Sequence, residues 1–155
     1  MVYSIYTDGA CNTEGSKKLG VIASGYIIRT DDSYISMDLH AFNDPGLARV
    51  AESLAIALAV EDLMDSVELQ PKDRVKIYSD CLPVIKAYRG AGKPGVKRPY
   101  FYDQREILTW DLLCKLRSKC AWNFSWIQAH TDEKINGNKV ADRLAKYALK
   151  FGGDK

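Results

Sequence analysis

Val2-Tyr3-Ser4-Ile5-Tyr6-Thr7-Asp8 and Val75-Lys76-Ile77-Tyr78-Ser79-Asp80 decide the fold of this chain. Both are apolar runs rich in β-branched and aromatic residues. Both end on an aspartate followed by a small residue, Gly9 or Cys81. Such runs read as buried strands. In open α/β sheets, ligands gather beyond the carboxyl ends of the strands. If the two strands are parallel neighbours, Asp8 and Asp80 stand side by side. Two adjacent carboxylates repel, so the pattern points to a bound cation. Thr7 and Ser79, one position earlier, then face the opposite side of the sheet.

The elements around these strands follow from periodicity and breakers. Residues 2–8 form the first strand, and Gly9 to Lys18 a polar turn. Residues 19–30 form a second strand, closed by the Asp31-Asp32-Ser33 turn. Tyr34 to Phe42 forms a third, with the partial alternation of a sheet edge. After Asn43-Asp44-Pro45-Gly46, an Ala- and Leu-rich helix runs from about Leu47 to Met64. Pro71-Lys72-Asp73 precedes the strand that carries Asp80, and a short helix to about Tyr88 tolerates Pro83 in its first turn. Gly90 to Pro99 is a Gly/Pro/Lys loop. Residues 103–119 form a helix with Ile107, Leu108, Leu112, Leu113 and Leu116 on its apolar side. Residues 122–127 alternate as a strand. A last helix spans roughly 138–151, with Val140, Leu144, Tyr147 and Phe151 at helical spacing. The order β-β-β-α-β-α-α-β-α implies an α/β fold with a mixed sheet flanked by helices.

A chain of 155 residues suits one compact domain, 1–155, with no repeat or linker. The net charge of +2 does not announce a polyanion partner, but residues 86–98 carry five basic side chains and no acid. Cys11, Cys81, Cys114 and Cys120 match no zinc spacing and read as free thiols of a reducing compartment. No leader or apolar run of membrane-spanning length is evident. The expectation is a soluble, cytoplasmic protein without a membrane association.

Three further residues carry potential chemistry. Glu52 shares a helix face with Ala48, Ala55, Ile56 and Ala59. A carboxylate on an apolar stripe costs free energy unless it is paired or coordinated; otherwise it sits at the rim of the stripe and reaches water. Glu61, Asp62 and Asp65 read as solvated. Asp142 lies in the first turn of the last helix, where the helix dipole alone favours an acid. His130 opens a polar, glycine-containing loop and suits proton transfer near neutral pH, against the plainer reading of an exposed loop histidine. His40 reads as structural or solvated.

Together these residues resemble the ribonuclease H family, type 1, over nearly the whole chain. The carriers are Thr7-Asp8-Gly9-Ala10-Cys11, Ala51-Glu52-Ser53-Leu54-Ala55, Tyr78-Ser79-Asp80-Cys81, and Ala129-His130 followed by Gly137-Asn138-Lys139-Val140-Ala141-Asp142. The resemblance implies a ribonuclease H-like fold with a five-stranded mixed sheet. It implies that Asp8, Glu52, Asp80 and Asp142 hold two Mg²⁺ or Mn²⁺ ions and that His130 aids proton movement and product release. Hard oxygen donors suit those ions. Two unit charges ~4 Å apart repel by about 4 kcal/mol at an effective dielectric of ~20, so clustered carboxylates need cations. The implied activity is two-metal hydrolysis of the RNA strand of an RNA/DNA hybrid, leaving 5′-phosphate and 3′-hydroxyl ends.

The chain departs from the pattern around the substrate. Leu47-Ala48-Arg49 stands where the family commonly has Thr-Asn-Asn, Leu82 where a glutamine often lies, and Lys139 where an acid is usual. Expected hybrid contacts are Gly9, Cys11, Asn12 and Arg49, with Lys86, Arg89, Lys93, Lys97 and Arg98 of the basic segment, which Tyr100, Phe101 and Tyr102 follow. The chain is expected to act as a monomer with no protein partner. The rival readings are a superfamily nuclease with altered substrate choice and a non-catalytic nucleic-acid-binding module.

Overall fold

The computed structural model describes residues 1–12, 20–127 and 137–152. Among these, five strands form one sheet: β1 (Val2–Cys11), β2 (Ile22–Arg29), β3 (Tyr34–Ala41), β4 (Arg74–Ser79) and β5 (Ala121–Trp126). The helices are α1 (Ala48–Ser66), α2 (Leu82–Tyr88), α3 (Gln104–Lys119) and α4 (Gly137–Gly152). The spatial order is β3-β2-β1-β4-β5. The hairpin strands pair antiparallel, whereas β4 joins β1 and β5 in parallel. The mixed sheet is the one expected from hairpins followed by helical crossovers.

The parallel pairing brings Tyr6 opposite Tyr78, and the two rings stack with centroids 4.6 Å apart. Continued by two residues, this register sets Asp8, within β1, beside Asp80, just past the end of β4. Thr7 and Ser79 are buried on the other face, and Thr7 Oγ1 donates to the Tyr78 carbonyl at 3.3 Å. The boundary difference that bears on the site is the end of β1. Gly9, Ala10 and Cys11 are not a turn but continue β1, opposite Ser24, Ala23 and Ile22. Pairing with β2 satisfies their backbone groups, which a propensity argument about Gly9 does not see.

Helix α1 is the centre of the core. Among the described residues, no side chain caps its N-terminus, and all but one of the residues Val50–Val60 are buried. Burial on nearly every side, rather than capping, stabilises it. The expected single stripe is therefore too narrow, and Ala48 is exposed. Asp62 is half-buried and engaged by three hydroxyl groups. Tyr26 Oη donates to its Oδ2, as does Ser36 Oγ at 2.7 Å, and Ser66 Oγ donates to Oδ1 at 2.8 Å. This knot ties β2 and β3 to α1.

Helix α3 is capped by Asp103, whose carboxylate accepts from the Arg105 amide at 2.9 Å. It buries Trp110, Leu113 and Leu116, together with Thr109 and Glu106, and leaves Leu108 outside. Helix α4 departs most from its periodicity. It buries Ala141, Ala145 and Ala148, while Tyr147 and Phe151 are more than half exposed. The cause is close approach to β2. A Cβ on Gly25 would lie 2.6 Å from both the Ala141 carbonyl oxygen and the Ala145 nitrogen. Only small residues fit that seam, so the large apolar ones are turned outward.

Candidate active site

Asp8 projects from β1, Asp80 follows the last residue of β4, and Glu52 comes from α1. One carboxylate oxygen from each lies within 4.8 Å of the others. Gly9 explains how α1 comes so near: a Cβ there would lie 2.4 Å from the Glu52 nitrogen and 2.5 Å from the Ala51 carbonyl carbon. The Gly9 amide donates to Glu52 Oε1 at 2.7 Å and to Asp8 Oδ1 at 2.9 Å. Glu52 Oε2 is buried and has no hydrogen-bond partner among the described residues.

The electrostatics follow from this crowding. Burial pushes the Asp8 carboxyl far above the usual carboxylate range, and the neighbouring Glu52 charge pushes it further. Burial also raises Glu52, partly offset by hydrogen bonds from Asp8 and the Gly9 amide. Burial raises the Cys81 thiol as well, so it is held neutral beside the acids. A cluster that resists ionisation, with one orphaned carboxylate oxygen, has the donor set and the electrostatic deficit that a hard divalent cation corrects.

Asp142 reaches the same cleft from α4. Because the helix begins at Gly137, it lies in the second turn, and its position owes less to the helix dipole than expected. The cleft, about 270 Å³, is lined by Asp8, Asp80 and Asp142 together with Asn138, Lys139 and Lys146. Lys146 Nζ lies 3.1 Å from Asp142 Oδ2. Asn138 is buried, and its Oδ1 has no partner among the described residues. Lys146 and Asn138 lie one helical turn to either side of Asp142, a spacing that the sequence alone displays. His130 lies outside the described residues.

The expected nucleic-acid contacts divide into groups. Gly9 is taken up by packing and by the two carboxylates. Cys11 is half-buried, its Sγ 3.7 Å from the Gly46 carbonyl oxygen. Asn12 is exposed but closes the strand pair: its Oδ1 accepts from the Val21 amide at 2.9 Å, and its own amide donates to the Val21 carbonyl at 3.0 Å. Arg49 is half-exposed, and its Nη2 is paired at 2.8 Å with the buried carboxylate of Glu106 on α3. Glu106 lies 57 positions away from Arg49 and carries no local signal in the sequence.

The basic side chains are better assembled. Lys86, Arg89, Lys93 and Lys97 line one cleft of about 330 Å³ with Val96 and Trp110; Arg98 is exposed outside it. Gly92 and Gly95, at φ of 80° and 76°, supply the left-handed turns of this loop. Arg117 holds its base, donating to the Ala91 carbonyl at 2.7 Å and stacking 3.9 Å over the Trp122 ring. Phe101 is buried against Tyr88 and Trp110, whereas Tyr100 and Tyr102 are exposed.

A five-stranded mixed sheet in this order, carrying Asp8 on β1 and Asp80 just past β4, defines a ribonuclease H-like α/β fold. The chain belongs to the RNase H family, whose model matches residues 2–150. Solved structures agree on the fold. RNase H1 from the halophilic archaeon Halobacterium salinarum superposes with a TM-score of 0.68 at 20% identity, over 97% of this chain and 98% of that one. The N-terminal RNase H domain of Rv2228c from Mycobacterium tuberculosis, studied as a maltose-binding-protein fusion, gives 0.70 at 19%, over 96% and 94%. LC11-RNase H1, in complex with an RNA/DNA hybrid, gives 0.62 at 16%, over 95% and 99%. No curated protein sequence matches the chain.

Proposed function

We propose that this chain is a divalent-metal-dependent endoribonuclease that hydrolyses the RNA strand of RNA/DNA hybrids, leaving 5′-phosphate and 3′-hydroxyl ends. The observation that carries the proposal is the convergence of Asp8, Glu52 and Asp80 within 4.8 Å, with Asp142 on the same cleft. These four acids would hold two Mg²⁺ or Mn²⁺ ions. When bound, such ions lower the pKa of water and neutralise charge on a leaving oxygen. Asp8, Glu52 and Asp80, from β1, α1 and the end of β4, would hold that charge, and the Gly9 amide orients Glu52 by donating to its Oε1. Lys139 and Lys146 offer positive charge to a phosphate entering the cleft. His130 is assigned proton transfer and product release. Lys86, Arg89, Lys93 and Lys97, with Arg98 beside them, grip the hybrid backbone away from the site.

The whole of 1–155 is read as one catalytic domain acting as a monomer. A cytoplasmic setting suits its four free cysteines. Among the described residues, no helix is long and apolar enough to cross a membrane.

The test is direct. A strand-labelled hybrid is incubated with protein plus Mg²⁺ or Mn²⁺, and the cut strand and its ends are mapped. RNA-strand cuts with 3′-hydroxyl ends support the proposal; binding without metal-dependent cleavage supports a non-catalytic module. Altered substrate choice is favoured by two observations. Arg49, in place of a neutral amide, is committed to Glu106, and apolar Leu82, two residues after Asp80, is exposed. Parallel assays on hybrid, double-stranded RNA and single-stranded RNA separate the two nuclease readings.

A further inference from the structure

The four acids are not equivalent. Asp8 and Glu52 are buried, and Glu52 keeps an oxygen with no partner among the described residues. Asp142 instead carries a cation of its own, the Lys146 ammonium at 3.1 Å. Asn138, Asp142 and Lys146 follow at intervals of four along α4, so they form one stripe, and all three line the acid cleft. The Lys146 side chain is 64% exposed. Its four-carbon stem can swing the ammonium into water at little cost, so the pair is exchangeable.

We propose that Lys146 is a resident counter-cation of this site: it holds Asp142 until a divalent ion displaces it, and so sets the metal concentration at which the Asp142 side fills. The inference rests on the reading of the four acids as a metal site. Its physical basis is charge competition. An ion approaching Asp142 must break the 3.1 Å contact and then sit near the displaced ammonium. An ion among Asp8, Glu52 and Asp80 instead relieves repulsion and supplies the missing partner of Glu52 Oε2. Two classes of metal binding follow: a tight one at the triad, and a weaker one at Asp142 whose affinity Lys146 limits. Asn138 Oδ1, buried in the same cleft, offers a neutral oxygen to the second class.

A purely structural role for the pair makes a different forecast. An Asp–Lys contact at i, i+4 stabilises a helix slightly, and its loss would lower the melting temperature while leaving metal affinity alone. The experiment is calorimetric titration of Mn²⁺ into substrate-free protein, comparing wild type, Lys146→Met and Lys146→Arg. The methionine keeps the apolar stem and removes the charge; the arginine keeps the charge. Lys146→Met is expected to tighten the weaker class by about two- to ten-fold, the scale of an exposed charge pair acting on a divalent ion. Lys146→Arg is expected to stay near wild type. Equal affinity in wild type and Lys146→Met, or equal tightening in both variants, overturns the inference while leaving the metal site standing. A wild-type protein that takes up no Mn²⁺ overturns the metal-site reading, and the inference with it.

Discussion

Replacing Gly25 by alanine should disable the site without touching any of its residues. Gly25 lies in β2 opposite Asp8, and α4 crosses it closely. The new Cβ would stand 2.6 Å from the Ala141 carbonyl oxygen and the Ala145 nitrogen, both backbone atoms of α4. Ordinary contact begins at 3.4 Å, so the helix must retreat by about 0.8 Å. Overpacking of this kind costs about 1–3 kcal/mol. In a chain of this size that lowers the melting temperature by roughly 2–4 °C per kcal/mol, or about 2–12 °C in all. The functional effect is larger. Asp8, Glu52 and Asp80 stand on the sheet and α1, whereas Asp142 rides on α4. The shift therefore separates one acid from three, and a misplacement near 1 Å costs up to about 10²-fold in turnover. Thermal unfolding followed by circular dichroism reads the first number. Single-turnover cleavage of a labelled hybrid at saturating metal reads the second. A Gly25→Ala protein with unchanged melting temperature and unchanged turnover would refute the claim that this contact positions Asp142.

Four other outcomes are expected. Asp80→Asn abolishes hybrid cleavage while its circular dichroism spectrum matches wild type; near wild-type turnover would remove Asp80 from the site. His130→Ala slows turnover without abolishing it, and a pH–rate profile identical to wild type would remove its assigned role. Arg117→Ala frees the base of the basic loop, with a loss of about 1–3 kcal/mol and a raised KM for hybrid; the check is the KM-against-kcat split at fixed salt. In chelator, the raised carboxyls of Asp8 and Glu52 make stability depend on pH. Their contribution is fully present below about pH 4 and is lost as pH rises through their elevated folded values. Melting temperatures from pH 5 to 8 should therefore fall more steeply in wild type than in Asp8→Asn, and added Mg²⁺ should flatten the wild-type curve.

Much of the fold was legible because strands and helices announce themselves through local chemistry. Val2–Asp8 and Val75–Asp80 read as buried strands from composition alone, and their shared ending placed two carboxylates together. Misreadings arose where packing overrides periodicity. Val140, Leu144, Tyr147 and Phe151 recur at helical spacing, yet Ala141, Ala145 and Ala148 form the buried seam. Nothing local to α4 foretells this, because the deciding atom is the one missing from Gly25 on another element. Leu108 in α3 is exposed for a related reason: Trp110 and Leu113 occupy the core face, and Glu106 is drawn inward by Arg49. Asp62 looked solvated because its hydroxyl partners Tyr26 and Ser36 lie on strands distant in sequence.

By itself, the sequence supplied the element order, the two strands that carry Asp8 and Asp80, the basic segment and, through the motifs it shares with the ribonuclease H family, Glu52 and Asp142 as their candidate partners. These depend on residue type, spacing and local periodicity, which survive in one dimension. Only the tertiary structure decided that Gly9 lets α1 bring Glu52 against β1, that Arg49 is paired with Glu106, and that Asp142 enters the cleft with Lys146 attached. Those facts depend on how closely elements approach and which charges meet across them. The chain order of the residues does not encode those distances locally; the packing of α1, α3 and α4 on and around the sheet sets them.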